Sequence, residues 1–204
     1  MDSTENELNV KEARPAYKKH YTFEDWLALG EDAWAELYDG VLLYLFTPTI
    51  QHQEIVGNLY LQIGNFLKGK RCRAFLPPFG VKLFNDEDTV LLPDILIICD
   101  KSKLEGRVVH GAPDFVVEIL SPSTSKRDKL IKYNLYQKAG VREYWIIDPD
   151  EKFVQAGVLS NGSYVTTMYG SEDKASVHII EGLEINLTDV YDYWLDGDDV
   201  KHEK

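Results

Sequence analysis

The sequence predicts a single α/β domain built on a mixed central sheet flanked by helices. Two observations support this class. Along residues 49–148 the predicted elements follow the order helix, three strands, helix, strand, in which the last strand returns to the sheet after a helical crossover. The run over 114–120 is largely apolar on both faces, as expected of a central strand covered on both sides. A length of 204 residues is typical of one domain.

Two local motifs precede this αβββαβ core. A Thr-to-Asp capping pattern over 22–25 predicts a short helix to about residue 29. The stretch "AELYDGVLLYLF", 35–46, places β-prone residues on both sides of Asp39-Gly40, a dipeptide that tight hairpin turns prefer. We therefore expect a flexible arm over 1–20, then a helix and an added N-terminal hairpin.

The core elements are predicted from apolar periodicity. Ile55, Leu59 and Ile63 keep helical spacing and predict a helix over 49–68. The other core elements are strands over 71–84 (interrupted by Pro77-Pro78), 90–98 and 114–120, a helix over 124–139 that ends at Gly140, and a strand over 142–148. Runs over 152–159, 163–170 and 176–186 predict a C-terminal β-meander. The domain is expected to span 21–195, and an acidic tail follows over 196–204.

Composition and charge narrow the function classes. The formal net charge is -12, which argues against a protein that coats nucleic acid through many phosphate contacts but allows a small local site. Basic residues gather at 68–73 and 125–132. The N-terminus is polar and no apolar run is long enough to span a bilayer, so we expect no membrane association. Cys72 and Cys99 show neither metal-type nor disulfide-framework spacing. We expect two buried free thiols and a reducing, cytoplasmic compartment.

Two acids interrupt consecutive apolar strands. Glu118 lies in the centre of "DFVVEIL", and Asp94 follows Pro93 in "VLLPDILIICD". A buried carboxylate costs several kcal/mol unless it is paired or binds a cation. If the strands are neighbours, the two carboxylates can converge and hold Mg²⁺ or Mn²⁺, which prefer oxygen ligands. Strand-end acids held by backbone N–H groups or by arginine are an equally open interpretation.

A third acid and a lysine extend this candidate site. Asp114 shares the predicted face of Glu118, but Pro-Asp at the start of a strand is more often turn chemistry. On a helical wheel of about 100° per residue, Ile131 and Leu135 mark the inward face of the helix that follows, and Lys132 falls on the same side. Lys132 could reach the acids, or it could form only an i,i+4 ion pair with Asp128.

These features together resemble the PD-(D/E)XK nuclease superfamily, which has the restriction-endonuclease-like fold. Within it, the chain resembles the bacterial Uma2 family, through "ELYDGVL", "QHQEIVGNL", "LLPDILIICD" and, most specifically, residues 111–149. The resemblance implies a metal site formed by Asp94, Glu118 and the backbone carbonyl of Ile119. The lysine position two residues after the acid holds Leu120, and the resemblance assigns the functional lysine to Lys132 instead.

Further residues are weaker candidates. His52, Glu54 and Glu36 could lie near the metal, although a single histidine at a helix start is more often structural. The aromatic residues of the second helix and the strand that follows, Tyr136, Tyr144 and Trp145, are interpreted as core.

Three functions remain open. The leading one is an endonuclease that hydrolyses nucleic acid, with DNA favoured over RNA, and uses Mg²⁺ or Mn²⁺ without an organic cofactor. The second is a non-catalytic module that binds nucleic acid or protein. The third is a glycosidase, in which one acid would be a general acid with a raised pKa. It ranks last because the sequence indicates few of the exposed aromatic residues that a sugar-binding cleft needs. A homodimer is expected by analogy only.

Overall fold

The computed structural model describes residues 20–30, 34–85, 88–121 and 128–194, without the side chains of residues 128 and 129. The expected arm over 1–20 therefore lies outside the described residues except for its last residue. The expected acidic tail and the start of the second core helix also lie outside them.

Helices and strands follow the predicted order through most of the chain. The α-helices are α1 (Phe23–Ala28), α2 (Ile50–Leu67), α3 (Tyr133–Ala139) and α4 (Leu187–Val190), and a π-helical turn, Asp128–Lys132, leads into α3. The strands are β1 (Ala35–Tyr38), β2 (Val41–Tyr44), β3 (Arg73–Phe75), β4 (Gly80–Lys82), β5 (Val90–Leu91), β6 (Ile95–Ile98), β7 (Leu104–Glu105), β8 (Val108–His110), β9 (Phe115–Ile119), β10 (Glu143–Asp148), β11 (Phe153–Ser160), β12 (Ser163–Gly170), β13 (Lys174–Ser176) and β14 (Glu184–Asn186).

The sheets are mixed, as predicted, but they are two six-stranded sheets rather than one. The first has the order β12-β11-β10-β9-β6-β3, in which only β9 and β10 run parallel. The second has the order β2-β1-β5-β4-β8-β7 and includes the N-terminal hairpin. The predicted runs over 71–84 and 90–98 each split at a proline, and the two halves of each run enter different sheets. Strands β7 and β8 were not predicted.

The prediction of a C-terminal β-meander is only partly correct. Strands β11 and β12 pair with each other and extend the first sheet. The third predicted strand, over 176–186, is wrong: turns follow β13, and β13 pairs with β14 in a separate two-stranded sheet. Apolar residues in this stretch, such as Val177 and Leu183, are nevertheless buried, because the turn packs on the core.

Strand β9 is buried on both faces, as its composition predicts. Phe115, Val117 and Ile119 pack in the core cluster that contains the buried face of α2. Val116 and Leu120 point the other way, into the cluster that contains Tyr136 of α3. The side-chain alternation of an extended strand produces these two faces, and Glu118 belongs to the side of α3.

The two cysteines form a disulfide, so the prediction of two free thiols is wrong. Cys72 precedes β3 and Cys99 follows β6, and these strands pair antiparallel with Arg73 opposite Ile98. One step further along this register the cysteines face each other, and their sulfur atoms are 2.01 Å apart. The expectation of a reducing compartment rested on free cysteines, so the disulfide removes the reason for it. Among the described residues, no helix is both long and apolar enough to cross a membrane.

Candidate active site

Glu118 is buried, and one of its carboxylate oxygens accepts two hydrogen bonds from the π-helical turn and the helix that follow it. Only 3% of the residue is exposed. Its Oε1 accepts a hydrogen bond of 2.8 Å from the Lys132 ammonium and another of 2.8 Å from the Tyr136 hydroxyl. A charged donor and a second hydrogen bond offset much of the cost of burying a carboxylate. The acid in the centre of β9 is therefore tolerated because the π-helical turn and α3 pair with it.

Lys132 also binds a second buried acid. Its Nζ lies 2.9 Å from Oε1 of Glu36, and both side chains are almost completely buried. The same Glu36 oxygen accepts a hydrogen bond from the backbone N–H of Leu92. Glu36 lies on β1 of the second sheet and Glu118 on β9 of the first. The ammonium thus links the two sheets, and we refer to Glu36, Lys132 and Glu118 as the buried Glu–Lys–Glu cluster.

Lys132 lies on the inward side that the helical wheel predicts, but Ile131 does not. Lys132 is buried, as expected, whereas Ile131 is 38% exposed and was wrongly assigned to the inward face. The reason is the π-helical turn over 128–132. Its hydrogen bonds close at i+5 rather than i+4, so residues no longer advance by 100° each. The alternative ion pair partner, Asp128, lies outside the residues whose side chains are described.

Asp94 lies immediately before β6, the strand that pairs with the strand of Glu118, as the sequence predicts. Strands β6 and β9 are antiparallel neighbours with Ile95 opposite Val117. One further step of the same register places Asp94 opposite Glu118, and residues in that relation have Cβ atoms about 4.5–5.5 Å apart. The Asp94 Oδ2 accepts a 2.7 Å hydrogen bond from the N–H of Ile119, which fixes the carboxylate at this end of β9.

His52 joins Asp94, whereas two other candidates lie elsewhere. His52 is in the first turn of α2, where Thr49 caps the helix, and its Nε2 lies 3.3 Å from Oδ2 of Asp94. Its buried Nδ1 has no hydrogen-bond partner among the described residues.

Glu54 is not brought to the site: it accepts a hydrogen bond from the backbone of Trp194. Asp114 lies at the opposite end of β9 from Glu118 and is held by the N–H of Cys99 and by Arg142. Asp114 therefore has the structural role that the sequence favoured.

Two members of the cluster, Glu36 and Lys132, border one open cleft of about 360 Å³ together with Asp94. Glu36, His52, Asp94, Ile119 and Lys132 all line it. The remaining walls come mainly from the hairpin, the loop before α2 and the residues around Pro77; they include Trp34, Tyr44, Phe46, Thr49, Leu76, Pro77 and Ser121. Asp94 and Lys132, two of the three candidate catalytic residues, therefore share one solvent-accessible space, whereas Glu118 is buried beside Lys132 and does not line the cleft.

The donor set of this cleft fits a divalent cation held by few protein ligands. Among the described residues, the carboxylates of Glu36 and Asp94 line the cleft and that of Glu118 adjoins it, and the ammonium of Lys132 is the one fixed positive charge beside them. With His52 counted as neutral, the formal charge is about −2. The described residues contain no group of three or more His, Cys, Asp or Glu side chains with metal-binding geometry. A dedicated all-protein cage is thus not formed, but Mg²⁺ typically takes one or two carboxylates and retains several waters.

Several features of this site escaped the sequence analysis. Tyr136 was assigned to the core, and it is buried, but its hydroxyl also binds Glu118. Burial and the nearby Glu118 carboxylate raise the pKa of Tyr136 well above its ordinary value, so it stays a protonated donor. Tyr136 follows Lys132 by four residues, and this spacing was the sequence feature that could have indicated that both side chains reach Glu118. The expectation of few exposed aromatics is also wrong here, because Trp34, Tyr44 and Phe46 are exposed beside the cleft.

Comparison with known proteins identifies the family and the fold. A family model described as "Uma2: Putative restriction endonuclease" matches residues 21–188. The chain belongs to the Uma2 family. A crystal structure from Anabaena variabilis ATCC 29413, described as a putative nuclease belonging to DUF820, has a similar fold: the TM-score is 0.69 at 24% identity, over 83% of this chain and 97% of that one.

One curated relative has no function in its name. It is an uncharacterized protein of Synechocystis sp., 28% identical over 101 residues. The match covers 50% of this chain and 53% of that protein, so the chain spans about half the length of this relative. The family and the fold of this Uma2 protein are thus established. The description of the family model names a restriction endonuclease, and that of the Anabaena structure names a nuclease.

Proposed function

We propose that this Uma2 protein is a metal-dependent endonuclease that hydrolyses phosphodiester bonds in DNA. The observation that carries the proposal is the excess negative charge at the cleft: the buried Glu–Lys–Glu cluster and Asp94 leave a formal charge of about −2. Two buried carboxylates, those of Glu36 and Glu118, share one ammonium, and buried negative charge in excess of its counter-charge is costly. A divalent cation has the charge that this arrangement lacks, and the cleft gives it access.

Asp94, Glu118 and the backbone carbonyl of Ile119 would hold the ion. All three come from the ends of the adjacent strands β6 and β9. When bound, Mg²⁺ or Mn²⁺ polarises a phosphoryl oxygen and lowers the pKa of a water that attacks phosphorus. The N–H of Ile119 orients the Asp94 carboxylate, and the Tyr136 hydroxyl orients that of Glu118.

Lys132 supplies the positive charge that the superfamily usually places two residues after the acid, where this chain has Leu120. Its ammonium reaches the cleft from the π-helical turn, and Glu36 holds it in place. A fixed cation in a partly dry site stabilises the negative charge that develops on the phosphate as the bond to the leaving oxygen breaks. Glu36 is thus a positioning residue for Lys132.

The test is single-turnover cleavage of end-labelled DNA with Mg²⁺ or Mn²⁺. Asp94→Asn and Glu118→Gln should each reduce the rate at least about 100-fold, the scale of losing one group that acts on the transition state. Glu54→Gln is the matched control and should retain the wild-type rate, because Glu54 contacts Trp194 rather than the cleft. In parallel, Mn²⁺ should raise the melting temperature of the wild type but not of Asp94→Asn.

One observation favours a second function, a non-catalytic nucleic-acid-binding or protein-binding module. The Oε1 of Glu118 is already occupied by Lys132 and Tyr136, so part of the site is internally paired without an ion. Under this alternative, Mn²⁺ gives no thermal shift and no nucleic acid is cleaved. Cleavage by the wild type that disappears in Asp94→Asn would exclude it.

A further inference from the structure

The end of the N-terminal hairpin exposes three aromatic side chains at the mouth of the cleft. Trp34 is 41% exposed, Tyr44 56% and Phe46 82%, and all three line the cleft. We call these residues the aromatic rim. Exposed aromatic surface of this kind, continuous with a polar site, usually marks a place where a ligand or a partner binds.

The hairpin fixes the rim relative to the buried cluster. Tyr44 pairs with Ala35, and the N–H of Leu45 donates to the carbonyl of Trp34, so the rim is anchored by the ladder between β1 and β2. Trp34 precedes Glu36 by two residues, which is about 7 Å along an extended chain. The hairpin thus holds the rim next to Glu36 of the Glu–Lys–Glu cluster, at a separation on the scale of one nucleotide.

We propose that the aromatic rim stacks on an unpaired base next to the scissile phosphate, so that the substrate is single-stranded DNA or a locally unpaired nucleotide. This inference deepens the proposed function and rests on it. Every base has a π-face, and aromatic side chains that stack on bases bind with little sequence preference. The rim therefore selects for unpaired structure rather than for sequence.

The volume of the cleft and the net charge of the protein both favour an unpaired strand over a duplex. Its volume of about 360 Å³ lies at the low end of small-ligand pockets, about 300–1,000 Å³, and suits one nucleotide unit rather than a stacked pair of strands. The formal net charge of -12 disfavours the many phosphate contacts on which duplex binding usually depends. Because an acidic protein gains little affinity from phosphate contacts, stacking between the rim and a base can supply affinity instead.

The test measures binding separately from cleavage. Fluorescence anisotropy is recorded with a labelled ten-nucleotide single strand of mixed sequence, the same strand with abasic sites, and the duplex of the same sequence. The protein is Asp94→Asn, which keeps the probes intact. Phe46→Ala in this background should weaken single-strand binding about tenfold, and Phe46→Trp should restore it. Met168→Ala, an equally apolar and 55% exposed position on β12 outside the cleft, should leave binding unchanged.

The abasic strand separates base stacking from other contacts. It should bind about tenfold more weakly than the normal strand and should be insensitive to Phe46→Ala, since no base remains to stack. The inference is overturned if Phe46→Ala binds the single strand as tightly as its parent, if the duplex binds as tightly as the single strand, or if no DNA binds. A soluble oligosaccharide that binds in a Phe46-dependent manner, while DNA does not, would assign the rim to sugar and also overturn it.

Cleavage assays distinguish this inference from the proposed function. Efficient cleavage of a single strand with an unchanged KM in Phe46→Ala would refute the stacking and leave the hydrolysis standing. Conversely, Phe46-dependent binding of the single strand with no cleavage under any metal would refute the hydrolysis, and the rim would remain a base-binding surface.

Discussion

Replacing Lys132 with methionine removes the one cation of the buried cluster. Methionine keeps much of the unbranched stem and its packing, so the change isolates the charge. Two ion pairs, of 2.8 and 2.9 Å, are lost, and Glu36 and Glu118 then share a buried space without a counter-charge. Removing one partner of a buried pair typically costs about 3–5 kcal/mol.

The structure favours the lower end of this range. The cluster borders an open cleft, so water can enter and a carboxyl group can take up a proton. A loss of about 3 kcal/mol lowers the melting temperature of a domain of this size by about 6–12 °C. The assay is urea unfolding in EDTA at neutral pH. Lys138→Met is the matched control: Lys138 lies on the exposed side of α3 over the Phe84 ring, and its loss should cost less than about 1 kcal/mol.

Two further measurements sharpen the result. In the Lys132→Met background, Glu36→Gln should recover part of the lost stability, because it removes one of the two like charges. Mn²⁺ should raise the melting temperature of Lys132→Met more than that of the wild type, since the ion replaces the missing cation. A stability change under about 0.5 kcal/mol on Lys132→Met, equal to that of the control, would refute the buried Glu–Lys–Glu cluster.

Three further predictions concern stability. Tyr136→Phe removes a hydrogen bond to a buried carboxylate and should lower the unfolding free energy by about 1.5–3 kcal/mol in a urea titration; an unchanged midpoint would contradict the bond. The hydrogen bond from His20 holds the pKa of Asp88 below its ordinary value of 3.8, so Asp88 contributes stability above that pH and loses it as the pH falls. Asp88→Asn should therefore be less stable than the wild type at neutral pH, and this difference in unfolding free energy should become smaller as the pH falls below 3.8. A difference that does not change with pH would contradict this. Reducing the Cys72–Cys99 bond, which closes a loop of 27 residues, should lower the unfolding free energy by roughly 3–4 kcal/mol. If two thiols react with a thiol reagent in the unfolded protein before any reduction, the bond is absent.

Local structure could be predicted well from the sequence because short-range chemistry determines it. The capping box at Thr22 and the tight turn at Asp39-Gly40 form as their residues indicate. Partner choice between strands could not be predicted. The prolines mark where the runs over 71–84 and 90–98 break, but which sheet each half joins depends on packing between distant segments. Strands of two or three residues, such as β7 and β8, carry too little periodicity to detect.

The candidate site shows the same division. Asp94 and Glu118 are recognisable as charges that their apolar strands do not explain, and Lys132 as a lysine on an inward helical face. The π-helical turn that actually directs Lys132 inward leaves no clear pattern in the sequence. Glu36 reaches the cluster from another sheet, which only the tertiary packing reveals. The disulfide was missed for the same reason, because pairing of β3 with β6 brings the cysteines together.

The most direct test of the metal-dependent site is a crystal soaked with Mn²⁺ and measured at a wavelength where manganese scatters anomalously. One strong anomalous peak is expected in the cleft, bonded to the carboxylates of Asp94 and Glu118 and to the carbonyl of Ile119, with the Lys132 ammonium beside it. The same soak of Asp94→Asn crystals should show no peak there. A fully occupied manganese elsewhere, with Glu118 still bound by Lys132 and Tyr136 and by no metal, would contradict the metal site proposed at Asp94 and Glu118.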